Sequence, residues 1–292
     1  MSEGQITQLQ RRGTVAVGGE DAAKFLNDLI TVDVPETVGD ARYGALLNPQ
    51  GKILFDFIVV HTAEGFLFDL PRAAAADFAR RLGFYRLRAK VDVADLTADR
   101  EIVAAWGGAA PPLLDGAVYV DPRLPALGYR GIVPAGADMA AGYAEVRLEA
   151  YDAHRIALGV PEGSVDFAYG DAYPHDVDMD QLAGVDFKKG CYVGQEVVSR
   201  MQHRGTGRRR FVVAGATAPL PAPGTPLTAG PASIGTLGSS SGPNALALVR
   251  LDRAKVAIDA GTPITAGDSV LTLSLPSWAH FDWPAAAAAA DA

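Results

Sequence analysis

The sequence predicts an α+β architecture that gives way, just past residue 205, to a small all-β domain. Three observations predict it. Through residue 205, short alternating apolar runs are interleaved with single helical segments, without the one-for-one alternation of regular βαβ winding. After Arg208, Gly, Pro, Thr and Ser punctuate short apolar runs at even spacing, the pattern of a barrel or sandwich. Finally, 292 residues with 49% apolar content suit roughly two packed domains. The expected layout is an α+β region over 1–205, which itself divides into two subdomains, a β-barrel over 206–283, and a low-complexity, disordered tail over 284–292.

In chain order, the β-branched run 14–17 predicts a strand that Gly18-Gly19 ends. Asp21 is placed to cap a helix with Phe25, Leu26, Leu29 and Ile30 on its apolar face. Residues 43–47 and 52–61 read as strands joined by the turn Asn48-Pro49-Gln50-Gly51. A third strand follows over 66–70, then a helix over 73–82. Strands are expected over 89–96, over 102–106, and near Val118 and Tyr129. A helix is expected over 145–158, with Gly159 at its C′ position and Pro161 just beyond. The terminal domain shows apolar runs at 211–214, 233–237, 245–251, 255–258 and 269–275, each read as a strand.

The formal net charge is −8, which argues against blanket nucleic-acid binding but leaves room for a local basic groove. One cysteine excludes an intrachain disulfide and a multi-cysteine metal site, so the chain alone is expected to hold no metal. The five histidines (His61, His154, His175, His203, His280) show no zinc-ligand spacing. No secretory h-region and no membrane-length apolar stretch occur, and the expected setting is a reducing, bacterial-type cytoplasm, preferred over a mitochondrial matrix, without membrane partners.

Charge reverses sharply around the one cysteine. Residues 162–186 hold seven carboxylates and no Lys or Arg, whereas residues 188–210 hold seven Lys or Arg against one Glu. Val193, Val197, Val198 and Met201 trace the buried face of a short helix from about Gly194 to Gly205. Cys191 then precedes a helix N-terminus, where the dipole, Lys188 and Lys189 favour a thiolate. Gly190 and Gly194 permit positive φ or a close backbone approach. Arg200 and Arg204, four apart, together with Arg208, Arg209 and Arg210 complete a basic patch suited to phosphate or carboxylate. A lone cysteine equally suits a small core position, and such a basic run equally suits a solvated strand edge; the residues alone leave both open.

The stretch Lys189-Gly190-Cys191-Tyr192-Val193-Gly194-Gln195-Glu196 resembles the signature of the YgfZ family of folate-binding proteins, which are related to the T-protein (aminomethyltransferase) of the glycine cleavage system. His154-Arg155-Ile156 with Gly159-Val160-Pro161, and the segment 174–178, resemble further family patterns. The resemblance implies a T-protein-like fold, with α+β folate-binding subdomains around a central channel and a small C-terminal β-barrel. It implies a tetrahydrofolate-binding accessory protein that supports iron–sulfur cluster assembly or repair. Its partners would be assembly proteins or client [4Fe–4S] enzymes, with an indirect link to tRNA modification. Arg155, Asp176, Asp178, Tyr192, Gln195 and Glu196 are then candidate folate residues, and Cys191 is the functional thiol. Asp176 and Asp178, two apart on an extended segment, would share one side and accept from a pterin edge, and Tyr169, Tyr173 and Tyr192 would stack on its ring or fill the core.

The chain departs from the T-protein pattern in reading Phe55-Asp56 where an Asp-Asp pair is expected. Asp56 keeps a proton-handling role or satisfies strand backbone. The chain is therefore expected not to be a classical enzyme. The alternatives carried forward are a tetrahydrofolate-dependent aminomethyltransferase and a tRNA-binding module using the patch over 200–210.

Overall fold

The structure is a computed structural model, and it describes residues 4–205 and 207–285. Nearly all of the expected tail, 286–292, lies outside the described residues. Contacts group the chain into two compact units. The first takes the chain through Tyr151 together with Leu182–Gln195, and the second takes Asp152–Gln181 together with the chain from Glu196 onward.

The first unit opens with β1 (Gly4–Gln8), β2 (Arg12–Gly18), α1 (Ala22–Asn27), β3 (Ala41–Leu47), β4 (Ile53–Thr62) and β5 (Gly65–Pro71). A single 3-10 turn leads into α2 (Ala75–Tyr85), followed by β6 (Asp92–Asp95), β7 (Arg100–Trp106), β8 (Ala117–Val120), β9 (Tyr129–Pro134) and β10 (Tyr143–Glu145). They form two five-stranded sheets, ordered β3-β4-β5-β2-β6 and β10-β1-β7-β9-β8. In the first sheet the strands expected over 43–47, 52–61 and 66–70 pair in sequence as β3, β4 and β5. The β3–β4 turn closes because the Asn48 side chain accepts the Lys52 N–H at 2.9 Å and Gly51 takes a φ of +80°.

Along β4 the side chains alternate, as a period of two dictates. Phe55, Phe57 and Val59 enter the hydrophobic core with Phe25, Leu26, Phe68, Phe78 and Leu82, so α1 and α2 cover this sheet with the apolar faces their spacing predicts. The rings of Phe57, Phe68 and Phe78 stand 4.9–5.4 Å apart. Asp56 lies in the opposite phase of β4, so it faces away from this core.

Three expectations are corrected here. Asp21 makes no side-chain cap on α1, and its carboxylate accepts the Lys90 N–H at 2.8 Å instead. The strand expected over 89–96 shortens to β6. The helix expected from 145 begins at Leu148, because Tyr143–Glu145 pair in parallel with β1, a strand hidden in the polar-looking N-terminus, and Val146 N–H continues that ladder onto Ile6 O.

The second unit carries α3 (Leu148–Ala157) from Asp152 onward, α4 (Gln195–Arg204) from Glu196 onward, and the strands β11 (Arg209–Ala216), β12 (Pro226–Ala229), β13 (Ala232–Ser241), β14 (Asn244–Arg250), β15 (Ile264–Ala266) and β16 (Ser269–Ser274), with α5 (Leu251–Asp259) between β14 and β15. The strands close into a six-stranded barrel ordered β11-β14-β13-β12-β15-β16. The run 255–258, expected as a strand, is the second half of α5: Ala254 and Ala257 pack into the barrel core while Val256 and Ile258 stay outside. Gly159 ends α3 with a φ of +76° and lies against Pro276, where a Cβ would meet the ring at 2.9 Å.

Candidate functional site

The signature loop, residues 186–194, is fastened at both ends. The Asp186 carboxylate accepts the N–H groups of Lys188 at 2.7 Å and Lys189 at 3.2 Å. Just ahead of it, Thr31 donates its hydroxyl to Gly184 O at 2.7 Å and accepts the Asp186 N–H at 2.9 Å through its carbonyl.

Lys189 then turns inward. Its buried ammonium donates to Asn27 O at 2.9 Å, Ile30 O at 2.8 Å and Val32 O at 2.9 Å, with an Asp33 carboxylate oxygen at 3.4 Å. These carbonyls belong to the end of α1 and the residues after it, where a helix leaves acceptors unpaired and favours a cation. Burial pulls the Lys189 pKa down, and Asp33 opposes that. The same ammonium lies 5.5 Å from the centroid of the Tyr192 ring. Burial, reinforced by Asp186, raises the Tyr192 phenol to about 12.

The far end closes at Gly194, whose φ is +82° and where a Cβ would lie 2.6 Å from Asn48 O on the β3–β4 turn. Between the two anchors Cys191 is exposed. Gly190 has ordinary φ and open space beside it, so the fold does not require glycine there. The Gln195 side chain donates to Gly190 O at 3.3 Å across the loop.

The helix expected from Gly194 to Gly205 is α4, with Val198 buried and Val193, Val197 and Met201 half-buried. Of the two lysines expected beside the thiol, Lys188 is exposed and Lys189 has its charge engaged on carbonyls. Arg200 pairs with Glu196 one turn back on the exposed face of the helix, so Glu196 holds an arginine. Arg204 and Arg208 are exposed.

The acidic segment and the remaining basic run meet inside the second unit. Residues 174–177 form a 3-10 turn started by Pro174, and Asp178 follows at a φ of +60°, so the expected extended pair of carboxylates does not form. Asp176 accepts from the Tyr173 N–H at 3.1 Å and from Arg209 at 2.7 Å. Asp178 accepts the Phe211 N–H at 3.0 Å and an Arg210 N–H at 3.2 Å. Arg210, buried, also donates to His175 O at 2.8 Å and to both oxygens of Asp180. Burial raises the Asp178 carboxyl well above the usual range, although Arg210 opposes it.

Arg155, a candidate folate residue, is wholly buried, with Asp152 of its own helix at 3.6 Å. It donates to Val160 O at 2.8 Å, Asp166 at 2.7 Å and Ser239 Oγ at 2.9 Å. The candidate ligand set is thus divided: Cys191, Tyr192 and Gln195 belong to the first unit, and Arg155, Asp176, Asp178 and Glu196 to the second.

Sequence reasoning missed a buried charge network in the first unit. Asp69 accepts from Arg12 and Arg130, each at 2.6 Å. Asp121 accepts from Arg130 at 2.9 Å and from Arg123 at 2.7 Å. Both Arg123 and Arg130 reach the Tyr151 hydroxyl, at 3.2 and 2.8 Å. Asp56 accepts from Tyr43 at 3.1 Å, and the Arg123 guanidinium stands 5.9 Å from the centre of that ring. Burial tends to raise the Asp121 pKa, but Arg123 and Arg130 outweigh it and hold the carboxyl below its usual range. Burial, with the neighbouring aspartates, raises Tyr43 and Tyr119 well above theirs. The available signal was single charges inside apolar strands: Asp56 in Leu54–Val60, Asp69 in Phe66–Pro71 and Arg130 in β9.

Residues 2–144 match the family model described as the GCVT N-terminal domain, and residues 208–281 match the one described as the CAF17 C-terminal beta-barrel domain. The chain is 31% identical to the mitochondrial iron–sulfur cluster assembly factor IBA57 of Homo sapiens, over 95% of this chain and 85% of that protein. It is 34% identical to the mitochondrial IBA57 homolog of Mycosarcoma maydis, over 71% of this chain and 56% of the relative. In Pyricularia oryzae the IBA57 homolog is 33% identical over the same shares. The chain therefore spans about half the length of these fungal relatives.

Among solved structures, the glycine cleavage system aminomethyltransferase T from Bartonella henselae matches with a TM-score of 0.73, covering 97% of this chain and 88% of that one at 19% identity, which establishes a common fold. The bacterial-cytoplasm expectation is corrected by these relatives, whose names place them in the mitochondrion; bulk composition does not register an organelle address. The chain belongs to the IBA57 family of iron–sulfur cluster assembly factors, built as a GCVT-type N-terminal region followed by a CAF17-type barrel.

Proposed function

We propose that this protein is an accessory factor for iron–sulfur cluster assembly, working through the exposed thiol of Cys191 in a mitochondrial setting. The observation that carries the reading is the construction of the signature loop. Lys189, Tyr192 and Gly194 are engaged within the protein, and the one residue with reactive chemistry is left facing solvent. A thiol so held can meet a partner's cluster or thiol without rearrangement of the loop. Its partners are assembly proteins or client [4Fe–4S] enzymes, through which any link to tRNA modification runs.

Folate enters this proposal through the GCVT-type fold alone. The residues expected to cradle it fit poorly, because Arg155, Asp176 and Asp178 already hold partners within their own unit. A rise in melting temperature with tetrahydrofolic acid tests the binding directly.

The deciding experiment is complementation of a strain lacking the protein, with [4Fe–4S] enzyme activities as the readout. Wild type restores them, and Cys191→Ser, which keeps the fold, does not. Full restoration by Cys191→Ser removes the thiol from the reading, and cluster enzymes unaffected by the deletion remove the reading itself.

A further inference from the structure

Three arginines of the second unit, Arg209, Arg250 and Arg253, line a cleft of about 200 Å³ on the barrel. Arg209 and Arg250 stand directly opposite each other in the antiparallel β11–β14 pair, a placement in which like charges oppose one another. Both are answered by carboxylates: Arg209 donates to Asp176 at 2.7 Å and also feels the charge of Asp171, and Arg250 donates through Nε to Asp252 at 3.0 Å. Arg253, at the start of α5, donates at 2.8 Å to the neutral carbonyl of Ser233. The cleft therefore gathers three guanidinium groups, while the carboxylates that offset them, Asp171, Asp176 and Asp252, stand outside its lining.

The remaining wall mixes two hydroxyls with the apolar residues Ile234 and Leu248. β13 contributes the exposed hydroxyl side chains of Ser233 and Thr236. Between them Gly235 packs so closely on β14 that a Cβ would lie 2.1 Å from Leu248 O, so bare backbone forms the floor. A guanidinium offers five N–H donors in a planar fork, far more than the carboxylate and carbonyl partners here engage. The cleft is smaller than the roughly 300 Å³ lower bound for drug-sized ligands. Unengaged guanidinium donors, two hydroxyls and a small volume suit a compact tetrahedral oxyanion.

We propose that this cleft is a binding site for a phosphate group, with Arg253 and the opposed pair Arg209 and Arg250 as its donors. It is independent of Cys191 and of the iron–sulfur reading. The phosphate belongs either to a small phosphorylated molecule or to a nucleic-acid backbone, two sources with one recognition chemistry. Asp176 and Asp252 compete with the ligand for the same guanidinium groups, so removing a carboxylate charge strengthens binding.

The test uses the full chain with inorganic pyrophosphate, followed by titration calorimetry, and with a short single-stranded RNA, followed by fluorescence anisotropy. Binding weakens about tenfold in Arg253→Gln, the loss of one charge-assisted contact. It tightens in Asp252→Asn, and Asp176→Asn serves the same purpose should Asp252→Asn fail to fold. A small-molecule source shows as tight pyrophosphate and weak RNA binding. A backbone source shows as RNA binding that falls steeply with salt and follows the same order of variants. Absence of binding to both probes, or binding that these variants leave unchanged, overturns the proposal.

Discussion

Lys189 in the signature loop and Arg210 at the head of β11 are both cations expected to face a ligand, and both are buried, yet they are held in opposite ways. Lys189 sits among three neutral carbonyls, with Asp33 at the margin. Arg210 sits between Asp178 and Asp180 and stacks at 4.9 Å over the ring of Phe281. A lysine among carbonyls completes an unfinished helix end, and its geometry is local to the loop it carries. An arginine between carboxylates joins two chain segments through charge, and removing it strands two acids. Of the charge reversal so evident in the sequence, Arg209 and Arg210 meet Asp176, Asp178 and Asp180 inside the second unit, while the signature loop keeps its thiol outside.

The largest expected effect tests the carboxylate side of this contrast. Arg210→Met leaves Asp178 and Asp180 buried without their guanidinium and lowers stability by about 3–5 kcal/mol, read from chemical denaturation. The same place carries a pH signature. The folded-state pKa of Asp178 is raised, so its contribution is full below about pH 4, its unfolded value, and is lost as pH rises through the folded value. Denaturation midpoints of wild type relative to Asp178→Asn should therefore move in favour of wild type on acidification. Movement the other way would show that Arg210 dominates the site.

Lys189→Met comes next. It leaves three carbonyls without their donor and lowers stability by about 2–3 kcal/mol, and Cys191 in the loosened loop reacts with an alkylating agent at a changed rate. A variant with wild-type stability would show that the ammonium does not hold the loop. The smallest effects come from the two signature glycines. Gly194→Ala, strained at positive φ and pressed against Asn48 O, costs about 1–2 kcal/mol. Gly190→Ala stays within about 0.5 kcal/mol. Thermal unfolding of the pair checks whether the loop is anchored at its second glycine and free at its first.

Much of this fold was legible where local rules act. The alternation in β2 to β5, the Asn48–Gly51 turn and the glycine-bounded helix α4 all follow from spacing and turn chemistry. What was hidden depends on partners distant in sequence. β1 looks polar and becomes a strand only between β7 and β10. The segment Lys255–Ile258 resembles a strand by its β-branched residues and is helical because its alanines fill the barrel core. The same holds for the site. The exposed cysteine and the helix behind it could be read directly, but the inward turn of Lys189 depends on carbonyls far up the chain. The network joins Arg12 of β2, Asp69 of β5 and Arg130 of β9 with Asp121 just past β8, and its partners lie up to 61 positions apart in the numbering.

The Lys189 clamp also has a kinetic meaning. Its three acceptors lie 157 to 162 positions earlier in the chain. Closing a loop of that length is slow compared with forming a helix or hairpin, and it requires the end of α1 and the residues after it to be in place. The thiol of Cys191 is consequently presented in its final position only by a chain that has already assembled its N-terminal region. A nascent or half-folded copy lacks the anchored loop, so the clamp makes the loop that carries the thiol a late-forming element.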